Sequence, residues 1–241
     1  MSDLTATLRT LHHGRHPDDP LVLPGPWDAG SARALADAGF PALATPSAGV
    51  AASLGVADGE VPADEMFAAV ARIARAVPVP VSADLEDGYG LPAAEFVERL
   101  LETGAVGCNL EDTDRRTGRL VDAREQADRL AAVRAAAGDA LFVNARIDSH
   151  LRGAPEEDAL ERARLYAEAG ADCVFPILAP VEWLAGIGEA AGLPVNALCR
   201  GTEFTPAELG RLGATRITFG PGLYKRTMAA LGPIAEELRG A

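Results

Sequence analysis

The sequence predicts a (β/α)8 barrel on three observations: one β-then-α unit repeats eight times, prolines open the helical stretches, and glycines close them. Each unit joins a short apolar, β-branched run to a Gly/Asp/Pro turn and an alanine-rich amphipathic stretch. The runs at 21–24, 42–46, 79–85, 107–111, 141–147, 173–178, 195–198 and 216–219 read as strands. Helical periodicity occupies 31–38, 63–76, 93–103, 123–137, 155–169, 181–191 and 206–212. Pro62, Pro92, Pro155 and Pro206 stand at helix starts, where a missing N–H removes no hydrogen bond. Gly39, Gly104, Gly170, Gly192 and Gly213 follow helix ends, where a left-handed residue terminates the last turn. Leu4, Leu8 and Leu11 at helical spacing mark an extra helix within an N-terminal arm of residues 1–19. An open doubly wound sheet is the alternative, but no Gly-x-Gly-x-x-Gly follows the first strand and nothing marks a reversal of strand order. No linker interrupts the pattern, so residues 1–241 read as one domain.

Composition narrows the function before any motif is considered. The net charge of −13 disfavours nucleic acid and anionic membrane as partners, because both would be repelled. Lys225 is the only lysine and lies outside the inner strands, which argues against Schiff-base chemistry. Cys108, Cys173 and Cys199 are widely spaced with apolar neighbours, so they read as small core residues rather than a disulfide or zinc set. No signal peptide and no bilayer-spanning segment is apparent, so a cytoplasmic location is expected.

Three strand ends carry polar residues at alternating positions: Ser82-Ala83-Asp84-Leu85-Glu86, Asn109-Leu110-Glu111 and Asn144-Ala145-Arg146-Ile147-Asp148. Residues two apart on a strand share a face, so Asp84, Glu86, Glu111 and Asp148 are expected to converge around Arg146. Such a cluster is costly to assemble unless a cation or a charged ligand compensates it. Hard carboxylate oxygens without nearby His or Cys suit Mg2+, with Mn2+ as a substitute, on Asp84, Glu86 and Glu111. Arg146 reads either as an ion-pair partner of these acids or as a clamp for a substrate anion. Ser47, Ala48 and Gly49 follow the second strand, where small residues let backbone N–H groups approach an anion. The stretch from there to Asp58-Gly59-Glu60 reads as a mobile lid, and His150 as a loop histidine or an acid/base. The Phe219-Gly220-Pro221-Gly222 turn has the composition of a phosphate-binding loop.

These segments resemble the isocitrate lyase/phosphoenolpyruvate mutase superfamily over nearly the whole chain. The likeness rests on Leu54-Gly55-Val56-Ala57-Asp58, Asp84-Leu85-Glu86-Asp87-Gly88-Tyr89-Gly90, Asn109-Leu110-Glu111-Asp112, Asn144-Ala145-Arg146 and Pro194-Val195-Asn196. It implies a barrel whose last helix is often exchanged between subunits of a dimer or tetramer, and Mg2+-dependent chemistry on small 2-oxo acids or their enols. By the same resemblance Asp84, with Glu86 and Glu111 partly through water, would hold Mg2+. Ser47, Ala48, Gly49 and Asn196 would bind substrate, Asp58 would act from the lid, and Arg146 would hold the anionic end. The family's lyases carry Lys-Lys-Cys-Gly-His after the fourth strand, whereas here the loop reads Thr113-Asp114-Arg115-Arg116-Thr117-Gly118-Arg119. Arg115 or Arg116 would then stand in as the cationic partner. The expectation is a carbon–carbon lyase or phosphonomutase-like enzyme that cleaves or rearranges a C–C or P–C bond, the metal stabilising the enolate. Two alternatives stand beside it: a non-catalytic metabolite-binding relic and a metal-free phosphate-binding barrel isomerase.

Overall fold

The computed structural model describes residues 4–201 and 203–240. Helix α1 (Leu4–Leu11) precedes β1 (Leu21–Val22), α2 (Ala29–Asp37), β2 (Leu43–Ala44), α3 (Ser47–Leu54) and α4 (Ala63–Ala74). Next come β3 (Val81–Asp84), α5 (Ala93–Thr103), β4 (Gly107–Glu111), α6 (Ala123–Ala137), β5 (Phe142–Ile147) and α7 (Glu156–Glu168). The chain ends with β6 (Cys173–Pro176), α8 (Trp183–Ala191), β7 (Asn196–Leu198), α9 (Pro206–Arg211), β8 (Arg216–Thr218) and α10 (Gly222–Gly240).

All strand pairs are parallel, in the orders β2-β3-β4-β5-β6 and β1-β8-β7. The two arcs meet at a Val174–Val195 bridge and where the Ala44 N–H donates to the Pro24 carbonyl at 3.2 Å. The ring therefore closes as an eight-stranded barrel, and the open sheet is set aside. Helices cover its outside through a large apolar layer that includes Met66, Ile73, Leu100, Leu110 and Tyr166. The lower end is plugged separately: α1 drives Leu8, fully buried, against Leu21, Leu23, Ala42, Phe142 and Cys173.

Most terminators behave as their chemistry requires. Pro62, Pro92 and Pro155 are N-caps, Pro206 is the first residue of α9, and Gly104 and Gly192 close their helices in the left-handed region. Asp28 and Ser31 form a reciprocal cap that starts α2 two residues earlier than periodicity suggests. The three cysteines are buried and unbonded to one another.

One element departs from expectation. The segment from Ser47, read as a small-residue loop leading into a lid, begins with an eight-residue helix, α3. Its residues are apolar on nearly every side, with Ser47, Gly49, Val50 and Ala51 buried, so no polar face betrays its helical period. Residues 55–60 do remain an exposed loop after Gly55 closes that helix at φ 81°.

Candidate active site

The C-terminal ends of the strands surround a cavity of about 280 Å3. Thr45, Ser47, Ala48, Asp58, Asp84, Asn109 and Arg146 form one side, and Phe175, Leu178, Leu198 and Pro221 the other. Strand register explains the polar side: Asp84 pairs with Asn109, Asn109 with Asn144, and Glu111 with Arg146.

Asp84 ends β3 beside the N-terminus of α3. Its Oδ2 accepts from the Ser47 N–H at 3.1 Å and the Ser47 hydroxyl at 2.9 Å, and its own N–H donates to Thr45 Oγ1 at 3.1 Å. Its Oδ1 is buried and has no hydrogen-bond partner among the described residues. A buried carboxylate oxygen left bare is expensive unless something positive or hydrogen-bonding meets it.

Beyond Asp84 the chain turns sharply. Glu86 and Tyr89 adopt positive φ of 53° and 61°, and Gly88 lies at 72° with Arg129 packed so close that a Cβ would meet its guanidinium at 2.8 Å. This folds Glu86 inward, 4% exposed, where Oε2 pairs with Arg115 Nε at 2.5 Å and Oε1 accepts from the Tyr89 hydroxyl at 3.2 Å. Burial pushes the Glu86 carboxyl up to about 7 against the opposing pull of Arg115. Arg115 also lies over the Tyr89 ring, 4.6 Å from its centroid, and donates to the Gly59 carbonyl of the 55–60 loop.

Glu111 ends β4 and pairs with Arg146 Nη1 at 2.5 Å. Burial raises it to about 8, with Arg146 pulling the other way. Burial alone would weaken the Arg146 cation, but Glu111 and Asp148 hold it above its ordinary value. Asp148 receives Arg146 Nε at 2.7 Å and the Thr113 hydroxyl at 2.6 Å, while its N–H donates to Asp112 at 2.9 Å. Asp112 in turn accepts from Tyr166 and Arg162 at 2.7 and 3.1 Å. A fully buried chain thus fixes Arg146 from behind. Asp58 reaches the cavity from the 55–60 loop, and burial followed by the nearby Asp84 charge raises its carboxyl.

Several expected site residues sit elsewhere. Gly49 is held in the first turn of α3, its N–H bonded to the Pro46 carbonyl at 3.1 Å, and does not line the cavity, unlike Ser47 and Ala48. Asn196 is fully buried a layer below, accepting from Thr218, which does line it. Arg116 points to solvent with 89% of its side chain exposed, so Arg115 is the cation that the 113–119 loop brings to the acids. Glu86 and Glu111 flank the cavity but are each engaged by an arginine, and among the described residues no three acidic, His or Cys side chains are placed to share a metal ion directly. His150 packs edge-on to Trp183 outside the cavity. Sequence reasoning did not reveal the apolar wall of Phe175, Leu178 and Leu198, whose residues look like ordinary core.

A (β/α)8 barrel with carboxylates, an arginine and a helix N-terminus converging at the strand ends has the layout of barrel enzymes, whose sites lie at that face. The family model described as phosphoenolpyruvate phosphomutase matches residues 8–239, and the chain belongs to that superfamily of lyases and mutases. The chain is 32% identical over 201 residues to the 2-methylisocitrate lyase of Salmonella typhimurium, covering 78% of this chain and 67% of that protein. Its fold matches the crystal structure of 2,3-dimethylmalate lyase with TM-score 0.86 at 31% identity, covering 99% of this chain and 85% of that one. Oxaloacetate acetylhydrolase in complex with its product oxalate matches with TM-score 0.87 at 28% identity, covering 98% and 87% of the two chains.

Proposed function

We propose that the protein is a Mg2+-dependent enzyme that cleaves or rearranges a C–C or P–C bond in a small 2-oxo or enol acid. The observation that carries this reading is the bare, buried Oδ1 of Asp84 at the polar side of a 280 Å3 cavity. Asp84 would hold the ion directly, with Glu86 and Glu111 as outer partners through water, in keeping with the preference of Mg2+ for few carboxylates and several waters. Mg2+, when bound, supplies the positive charge that draws the electron pair of a breaking bond at C3 toward a 2-oxo group.

The remaining roles fall to the chain itself. Ser47 and Ala48 present the start of α3 to the substrate carboxylate, where the helix dipole favours negative charge. Arg146 steadies the anionic end, its guanidinium held in place by Asp148. Asp58, raised by its surroundings, moves a proton at the cavity entrance. Arg115 draws Glu86 toward its ionised form, against burial, and ties the 113–119 loop to the 55–60 loop. The solvent-facing side of α10 carries Met228, Leu231, Ile234 and Leu238, 44–73% exposed, which supports a homo-oligomer in which this helix packs on another subunit. No helix among the described residues is long and apolar enough to cross a membrane.

Calorimetric titration with oxalate tests the reading, because oxalate imitates a planar enol acid. Binding is expected with Mg2+ or Mn2+ present, to vanish with EDTA, and to be lost in Asp84→Ala while circular dichroism stays unchanged. Oxalate binding that ignores the metal, or that survives in Asp84→Ala, would overturn it.

A further inference from the structure

A second hollow of about 270 Å3 opens behind the loops that follow β6 and β7, and the chemistry above does not use it. Ala179, Pro180, Val181, Phe204 and Leu209 supply its apolar surface, and His150 and Glu182 lie in the same lining. Leu178 and Leu198 line this hollow and also line the cavity at Asp84, so these two side chains form the partition between them.

Leu178 is unusual in two ways. Its φ is +56°, a left-handed conformation that a leucine adopts only at an energetic cost. The residue is also 38% exposed, high for a leucine that lines a cavity wall. Backbone strain of this kind persists where the direction of a side chain matters more than local stability. Here it directs a large, incompletely packed apolar group to the boundary between two cavities. The first cavity alone lies at the lower edge of small-molecule sites, roughly 300–1,000 Å3, and the second nearly doubles the space. Three charged groups line the second hollow: Arg200 and Glu203, which face each other at 3.9 Å with side chains 65% and 69% exposed, and Glu182, which is exposed as well. All three are exposed to solvent, so the hollow offers apolar contact and no buried charge.

We infer that the two hollows form one substrate site, in which the acid end lies at Asp84 and an uncharged hydrocarbon substituent at or beyond C3 occupies the second hollow. The substrate class is then a 2-oxo or enol acid with an extended or branched apolar chain, rather than a three- or four-carbon diacid. This rests on the metal-dependent reading above and specifies what that site accepts.

The test is a binding series in Mg2+ buffer: oxalate, then pyruvate, 2-oxobutanoate, 2-oxopentanoate, 2-oxohexanoate and 2-oxooctanoate, each by competition against oxalate. Burying one methylene contributes about 0.8 kcal/mol, so affinity is expected to rise by up to about fourfold per added carbon until the hollow is full. Ala179→Trp, at a residue that lines only the second hollow, is expected to flatten the rise, with Mg2+-dependent oxalate binding as the check that the variant is folded. A flat or falling series in the unaltered protein would overturn the inference while leaving the metal-dependent reading intact. So would a slope unchanged in a folded Ala179→Trp. Failure of oxalate itself to bind would overturn both.

Discussion

The two ends of the barrel interior are built on opposite principles. At the base, α1 presses Leu8 into a ring of Leu21, Leu23, Ala42, Phe142 and Cys173, and the polar His12 is buried there and stacked on Phe142 at 4.2 Å. Burial, with the Arg216 charge adding to it, lowers His12 to about 3, so it sits there neutral. At the mouth, Glu86 and Glu111 are buried carboxyls raised to about 7 and 8, Asp84 has a bare oxygen, and Glu86, Tyr89 and Leu178 hold positive φ. The base is chosen for packing; the mouth accepts desolvation and strain that packing alone would eliminate. That contrast is the physical signature of a site.

Between the two lies Arg216, fully buried, touching Ser82 Oγ at 3.4 Å and leaving Nε and Nη1 without partners among the described residues. Gly107 packs tightly beside the same Ser82, since a Cβ there would meet Leu8 Cδ2 at 3.0 Å, the Phe142 carbonyl at 3.1 Å and Ser82 Oγ at 3.2 Å. The barrel centre is therefore polar where such barrels usually stack branched aliphatic side chains.

The strongest way to break the comparison is to exchange its terms. Leu8→Ala removes the plug and is expected to cost roughly 2–5 kcal/mol in urea unfolding, with Mg2+-dependent oxalate affinity little changed in the folded fraction. A loss of oxalate affinity as large as the loss of stability would show that base and mouth are not independent.

Titration separates the ends next, because their pH dependences have opposite signs. Glu86 and Glu111 have folded-state values above the ordinary 4.5. Between 4.5 and about 7 to 8 the folded chain keeps protons that the unfolded chain has released. Their contribution is therefore favourable at low pH and lost as pH rises through that window. His12 behaves the other way. Its folded value lies below 6.5, so the unfolded chain binds the extra proton between about 3 and 6.5 and stability falls as pH falls. In EDTA, unfolding midpoints are expected to decline on both sides of a mildly acidic optimum. His12→Phe should flatten only the acid limb, by at most about 1.4 kcal/mol per pH unit. Glu111→Gln should flatten only the alkaline one.

The sequence makes one end far more legible than the other. Eight apolar runs with proline starts and glycine stops are local signals, so the barrel order and the helix α1 can be read directly. Alternation put Asp84, Glu111 and Arg146 at strand ends because period-two geometry leaves little choice. What it could not convey is pairing across loops. Nothing local distinguishes Arg115 from Arg116, yet one is drawn onto Glu86 and Tyr89 while the other faces water. Helix α3 escaped notice because its buried residues leave no polar period, and the Leu178–Leu198 partition because apolar residues near a strand end look like core.

That pair of neighbouring arginines gives the finest test of the mouth. Arg115 has a 20% exposed side chain and holds a carboxyl that is itself 6% exposed, so Arg115→Ala leaves a buried acid without its cation. Glu86 should then take up a proton more readily, and Mg2+-dependent oxalate binding at neutral pH is expected to weaken about tenfold, equivalent to about 1.4 kcal/mol. Among the described residues Arg116 pairs only with Asp114, at 3.4 Å on the surface, an arrangement worth a few tenths of a kcal/mol at most. Arg116→Ala should therefore change oxalate affinity less than about twofold, and unfolding scarcely at all. Equal losses in the two variants would mean that the 113–119 loop acts through its overall charge, and the specific Arg115–Glu86 contact would lose its role in the site.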